Sequence, residues 1–345
     1  MTTEDFDTAS ETSDLLGGGG GVRQVSSLTA FAAIAVMGIA LALVPIWIGD
    51  SRTLMGVAVT GLLFACYTIA FNLIFGSTGQ LFLAVGAFAG VGAYASAITS
   101  DRFGIPFPFT MILATGLAML VGGVFSWIAV RRSLGIIFTG IVTLTFSLAF
   151  DNVLLGLRDI TGGETGLVVD AGSDTFLSRQ IPPYYVFLSL VLVYLVGYVL
   201  LHRSHIGWAF RALRDDEIAA ELSGVDIARY RIYAGAIGGG MLGFAGALWA
   251  HAEGFISPAT FTFVHVDVPV LVMLVFGGIG TLMGPIVGAA VFTYIGEVLA
   301  SFSQLRLIAE GALLIVLFLL FPQGVVRALR SGASELWRKL RISKP

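Results

Sequence analysis

Few residues of this chain could do chemistry, and their spacing assembles no catalytic group. The 345 residues include one cysteine, Cys66, and four histidines, His202, His205, His251 and His265. Cys66 lies inside an apolar run. A lone cysteine builds neither a disulfide framework nor a Cys-type metal site, and its ordinary role is that of a small buried hydrophobe. The histidines fall at the ends of apolar stretches, without H-E-x-x-H spacing or a Cys/His cluster, so an interfacial hydrogen bond is the expected role of each. No G-x-S-x-G elbow occurs. No G-x-x-x-x-G-K-[S/T] occurs either, and the only lysines are Lys339 and Lys344. No cofactor is therefore expected on this chain, and nucleotide phosphates would have to be held by another one. Carboxylates at membrane depth are the usual seats of a coupling ion. Only Asp151, Glu297 and Glu310 come near that description, each close to the end of an apolar stretch where a solvated or capping role suits it.

The elements that would carry these residues are membrane helices. Hydrophobic residues make up 57% of the chain and charged residues 12%, against about 25% charged in a soluble domain. Mean hydropathy is +0.92. Lipid must be the solvent for most of this surface. Uncharged stretches of spanning length predict an all-α, polytopic transmembrane bundle of about ten spans, near 28–49, 54–75, 80–99, 107–130, 134–155, 184–201, 231–250, 267–283, 285–300 and 306–321. Two long uncharged stretches are each broken once, at Gly76-Ser-Thr-Gly79-Gln80 and at Gly284-Pro285, where re-entrant segments are a second possibility. Alternation puts both termini on one side. With that side cytoplasmic, fourteen basic residues lie inside and five (Arg52, Arg102, Arg158, Arg179, Arg306) outside, together the nineteen of the chain. That is the bias of the positive-inside rule. The expected organisation is a flexible acidic cytoplasmic tail over 1–24, a membrane domain over 25–325 and a basic cytoplasmic tail over 326–345. The net charge of −3 singles out no charged partner, and no nucleic-acid partner is expected.

Glycine spacing indicates how the helices meet. There are 44 glycines. Gly280, Gly284 and Gly288 repeat every four residues, as do Gly235, Gly239 and Gly243, and Gly86 with Gly90. Such spacing lets helix backbones approach closely. It fits tight packing, and it fits a moving surface beside a pathway. Between the expected spans, 156–183 forms an outer loop, and 202–230 is the most charged stretch of the protein. Within the latter, GWAFRALRDDEIAAELSGVD (207–226) reads as a short polar helix over 208–223. It has a small face at Ala219 and Ala220, charges at Arg211, Arg214, Asp215, Asp216, Glu217 and Glu221, and a stop at Gly224. A free surface helix and a docking helix fit these residues equally.

This segment is similar to the coupling loop of permease subunits of ATP-driven importers, which carry a Glu-Ala-Ala…Gly signature. Glu217, Ala219, Ala220 and Gly224 are the matching positions, with Ile218 interrupting the tripeptide. More narrowly, the chain resembles the LivM-type permeases of branched-chain amino acid importers. Five segments carry the resemblance in order: NLIFGSTGQLFLAVGAFAGVGAY from Asn72, ITGGETGL from Ile160, GALWAHAEGFISP from Gly246, GGIGTLMGPIVG from Gly277, and FPQG from Phe321. The chain departs from the family at Ala84-Val85, where members often carry Gly-His, a difference that bears on substrate. The resemblance implies a multi-pass cell-membrane subunit paired with a LivH-type permease. Two ATP-binding subunits would hydrolyse Mg-ATP, and an external solute-binding protein would deliver the substrate. It implies an ATPase-coupling role for Arg211, Arg214, Asp216, Glu217, Ala219, Ala220 and Gly224. Gly76, Gly79, Gln80, Gly86, Gly90, Gly277, Gly278, Gly280, Gly284, Pro285 and Gly288 would line or pack beside the pathway. The outer loop and the segment from His251 to Asp267 would face the binding protein. A permease of the same superfamily for urea, amides or a sugar is the alternative, and an ion-coupled secondary transporter is a more distant one.

Overall fold

The computed structural model describes residues 27–48, 51–169, 181–300 and 311. The expected tails 1–24 and 326–345, the expected span 306–321, Glu310 and the FPQG segment lie outside these residues, apart from Gly311 itself.

Helix starts and stops follow local sequence. The chain runs α1 (Ser27–Ala42), α2 (Val44–Ile48) and α3 (Arg52–Phe71), the last extended by a π-turn over Asn72–Gly76. Then come α4 (Val85–Phe103), α5 (Phe107–Arg131), α6 (Ile136–Gly156) and the short α7 (Arg158–Thr161). Strand β1 (Leu167–Val168) precedes α8 (Pro182–Arg203), α9 (His205–Asp215), α10 (Glu217–Leu222) and α11 (Ile227–Glu253). Strand β2 (Phe255–Ile256) leads through a π-turn at Phe263–Asp267 into α12 (Val268–Gly277) and α13 (Gly284–Ala300). Prolines occupy the first positions of α5, α8 and α12, where a missing N–H costs nothing. Left-handed glycines, Gly104 and Gly254, end α4 and α11, as a C-terminal glycine should.

Among the described residues, six helical stretches are long and apolar enough to cross a membrane: Ala30–Ile48, Arg52–Gly76, Phe107–Arg131, Ile136–Gly156, Pro182–Arg203 and Ile227–Glu253. Phe263–Gly277 and Gly284–Leu299 are apolar but shorter, and α4 carries Ser96, Thr99 and Ser100 among its glycines. The third expected span begins at Val85 rather than at 80, because Gly79 (φ +71°) turns the chain and residues 79–84 are not helical. The eighth expected span, 267–283, and the loops around it also differ from a plain helical reading. Helix α12 ends at Gly277, and β1 pairs antiparallel with β2, Leu167 opposite Ile256. An all-α reading did not include that pair, which joins two loops rather than adding a layer.

Helix α11 is the hub. It packs most extensively on α5 and α4, while α3 gathers α8, α12 and α13. The closeness is glycine's doing. A Cβ on Gly243 would come within 2.2 Å of Ala118 Cβ, and one on Gly246 within 2.1 Å of the Ala89 carbonyl oxygen. Outward faces are apolar, with Ile112 and Leu120 on α5 and Ile137 and Phe138 on α6 exposed, which suits lipid. The elements end in two groups. The turn Asn72–Gly79, the α5–α6 connection, α9–α10 and the 278–283 loop share one end, tied by Ser77 to His202 and by Asn72 to Thr281. The strands, the α4–α5 connection and α7 share the other, tied by Arg102 to the Asp159 carbonyl and by the Phe107–His251 ring contact.

Candidate functional site

Three features separate this bundle from a plain stack of helices: two breaks in apolar segments and one charged segment between α8 and α11.

The first break follows α3. The Asn72–Gly76 turn widens the helix, Thr78 returns its hydroxyl to the Ile74 carbonyl at 2.7 Å, and Gly79 turns the chain. Residues 80–83 then pass through the bundle outside any helix, so other elements must satisfy their backbone groups. The Leu83 N–H donates to Thr143 Oγ1 on α6 at 2.9 Å. The Val85 N–H, at the start of α4, donates to Asp267 Oδ1. Asp267 is 1% exposed, and Ser147 Oγ reaches its other oxygen at 3.5 Å. A carboxylate at a helix N-terminus is favoured by the dipole and by the free N–H groups there. Here it comes from a distant element and caps a helix that begins inside the bundle, ten residues and roughly 15 Å from the Gly277 end of α12. Asp267, the last residue of the segment His251 to Asp267 expected to face the binding protein, itself turns inward to meet the break, a role that no local spacing announces. Ala84 and Val85, where the chain departs from the LivM-type pattern, are buried beside it. Gly86 is held by contact: a Cβ there would lie 2.2 Å from the Phe261 carbonyl oxygen, and one at Gly90 would meet the Phe150 ring at 2.5 Å.

The second break is the loop 278–283. Gly278 (φ +115°) and Gly280 (φ +71°) take conformations that favour glycine. Asn72 grips the loop with both ends of its amide: Nδ2 donates to the Thr281 carbonyl at 3.0 Å, and Oδ1 accepts from the Gly280 N–H at 2.7 Å. A Cβ on Gly76 would strike Asn72 Oδ1 at 2.2 Å, so the glycine makes room for that grip. Gly284 opens α13 with Pro285 behind it, and Gly277 and Gly288 touch the Gly284 and Met273 carbonyls in turn. Gly280, Gly284 and Gly288 therefore do not share one helix face. Gly280 belongs to the loop, where a Cβ would meet the Arg214 guanidinium at 2.1 Å.

The charged segment is two helices, where the sequence suggested one over 208–223. Asp216 is extended (φ −157°), ends α9 and caps α10, its Oδ1 accepting from the N–H groups of Ile218 and Ala219 at 2.9 and 3.0 Å. Aspartate competes for backbone N–H groups and so favours such a cap over a helix interior. Gly224 (φ +84°) ends α10: its N–H reaches the Glu221 carbonyl, and the Val225 N–H reaches that of Ala220. This is the Schellman arrangement. Arg231 on α11 grips Glu217 through both terminal nitrogens, each at 2.9 Å. Arg211 lies over the Trp208 ring and donates to the His202 carbonyl at 2.9 Å. The expected small face is split: Ala220 is buried, and Ala219 is exposed. The outward face carries Ile218 and Leu222, 71% and 85% exposed, which the sequence reading treated as an interruption and passed over. Their four-residue spacing was the available signal.

His202 links this segment to the first break. Its Nδ1 faces the Tyr198 carbonyl at 3.0 Å and its Nε2 faces Ser77 Oγ at 3.1 Å. A carbonyl only accepts, so Nδ1 carries the proton and Ser77 donates to Nε2. Cys66 is fully buried among apolar residues. No group of three or more metal-ligating side chains occurs among the described residues.

Apolar helices broken at satisfied internal turns, with a charged segment at one end, are the architecture of a multi-pass membrane transport protein. The family model described as "Branched-chain amino acid transport system / permease component" matches residues 53–322, and the chain belongs to that family. It is 30% identical over 302 residues to the high-affinity branched-chain amino acid transport system permease protein LivM of Salmonella typhimurium, covering 80% of this chain and 70% of that one. It is 23% identical over 250 residues to the probable branched-chain amino acid transport permease protein LivH of Methanocaldococcus jannaschii, covering 70% and 78%. It is 24% identical over 236 residues to the ribose import permease protein RbsC of Haemophilus influenzae, covering 65% and 72%. No solved structure matches the chain.

Proposed function

We propose that this chain is the LivM-type half of an ATP-driven importer that brings branched-chain amino acids into the cytoplasm. It would work with a LivH-type permease, two subunits that bind and hydrolyse Mg-ATP, and an external binding protein. The carrying observation is the α9–α10 segment. It presents exposed Ile218 and Leu222 on a helix pinned to the bundle by the Glu217–Arg231 pair, as a docking element needs. Arg211, Arg214, Asp216, Ala219, Ala220 and Gly224 shape this element, and closure of the ATPases would move it. The breaks at Gly76–Ala84 and Gly277–Gly284 would be the parts that respond, since Ser77 and Gly280 lie against α8 and α9.

Helix order supports a ten-span reading with both termini cytoplasmic. Nine apolar segments alternate between the two ends of the described structure, and 306–321 would be the tenth. On that reading α9–α10 and its arginines face the cytoplasm, and the β1–β2 pair faces the binding protein. The decisive experiment reconstitutes the co-expressed complex in proteoliposomes with the binding protein outside and ATP inside. Leucine uptake that requires ATP and resists ionophores is expected. Uptake by the chain without ATPase subunits, driven by an ion gradient, would overturn the proposal. The likeness to a ribose import permease favours one second reading, a sugar as cargo, which competition by ribose in the same assay would reveal.

A further inference from the structure

A cavity of about 660 Å³ opens at the α9–α10 end, between the α5–α6 connection and the α10–α11 junction, with Ser133, Gly135, Glu221, Asp226 and Arg231 among its walls. At its inner edge it adjoins a second cavity of about 10 Å³, lined by Gln80, Thr139 and Arg231 among others. That is room for one water-sized oxygen. Two nitrogen donors on this small cavity are unused. Gln80 is 4% exposed; its Oε1 accepts from Ser126 at 3.2 Å, but its Nε2 is buried without a partner. The Arg231 guanidinium spends both terminal nitrogens on Glu217, and its Nε is likewise buried and unpaired. The N-terminus of the 21-residue helix α6 opens on the larger cavity beside them through Gly135 and Ile136, and no side chain caps it. A buried donor left unsatisfied is costly, so two beside an uncapped helix start form a place prepared for an anionic oxygen. The same walls also carry carboxylates, Glu217 beside Arg231 and Glu221 and Asp226 further along the lining. Among the described residues the Glu221 carboxylate makes no hydrogen bond, and the Asp226 carboxylate accepts from the Arg229 N–H through Oδ1. Unused donors and carboxylates on one lining fit a zwitterion better than a free anion or a lipid phosphate.

We propose that this paired cavity is an exit site for an α-amino acid, its carboxylate held by Gln80 Nε2, Arg231 Nε and the α6 N-terminus, and its ammonium facing Glu221 and Asp226. The proposal deepens the amino-acid reading above and rests on it. Such a site would hold substrate briefly beside α10, after the internal break and before release.

The test uses the complete reconstituted importer with a reporter thiol at Ser133→Cys on the cavity wall, the chain's own Cys66 being fully buried. Maleimide labelling of this chain is followed by mass spectrometry from the cytoplasmic face. Millimolar leucine should slow labelling about tenfold or more, as a charge-assisted pair of hydrogen bonds implies. Leucinamide, which lacks the carboxylate, and 4-methylpentanoate, which lacks the ammonium, should protect at most weakly. Gln80→Met, or Arg231→Lys, which keeps the charge but loses Nε, should abolish protection by leucine. Protection by inorganic phosphate equal to that by leucine would overturn the zwitterion assignment. So would protection by leucine that survives both variants. The two readings fail separately. A complex that takes up leucine but shows no protection refutes the exit site. A complex that takes up only another solute refutes the amino-acid reading itself.

Discussion

The two breaks solve the same problem in opposite ways. Each leaves backbone groups unpaired inside an apolar bundle, where water cannot rescue them. The 278–283 loop is largely self-contained. Thr281 Oγ1 donates to the Gly278 carbonyl at 2.7 Å and accepts from the Gly284 N–H at 3.1 Å, and among the described residues Asn72 supplies the side-chain hydrogen bonds from outside. The 79–84 stretch depends on distant elements: Thr143 on α6 and Asp267 ahead of α12. A break satisfied locally keeps its shape when its neighbours move. One satisfied by two other elements changes when they do. On the proposed function, the first break would alternate between arrangements during transport, and the second would pass on the position of α9, which it meets at Arg214.

Substitutions can break or sharpen that contrast. Asp267→Leu should have the largest effect, because it leaves the Val85 N–H unsatisfied in the interior and removes a charged acceptor. A loss of about 3 kcal/mol follows, seen as a lowered unfolding midpoint of the purified complex and as lost uptake. Asp267→Asn keeps an acceptor and should restore much of the stability; equal loss in both variants would mean that the charge, not the cap, matters. Asn72→Leu should come next, at about 2 kcal/mol for the two loop groups it abandons, and should uncouple hydrolysis from uptake. Thr143→Val should cost about 1 kcal/mol, measured in the same melt. Glu217→Gln removes a half-exposed ion pair and should shift stability by less than about 1 kcal/mol. It should instead lower the uptake obtained per ATP hydrolysed. Were Glu217→Gln to destabilise the chain as much as Asp267→Leu, the division between an interior that holds the fold and a segment that transmits motion would fall.

Local signals made much of this legible in the sequence. The uncharged stretch 107–130 gave the limits of α5 to within a residue, Gly224 marked the end of α10, and the Gly76–Gln80 run marked the first break. Long-range partners carried no such mark. Val85 and Asp267 are 182 positions apart, and Asn72 and Gly280 are 208 apart. Asp267 did leave a trace, since aspartate ahead of Val268-Pro269 is a helix-start pattern, yet nothing local shows that its carboxylate caps a different helix. The split at Asp216 was ambiguous for a similar reason: Asp215-Asp216 is tolerable within a polar helix and better at a cap. The unused Gln80 and Arg231 nitrogens are products of packing and are invisible to any spacing rule.

The central claim is that an engine docks on α10. Leu222→Asp tests it most directly, because the side chain is 85% exposed and its replacement disturbs no described hydrogen bond or core contact. The expected result is a chain that still reaches the membrane and still pairs with its partner permease, but no longer retains the ATPase subunits on purification and shows no ATP-driven leucine uptake. Normal retention of the ATPases together with normal uptake in that variant would contradict the account.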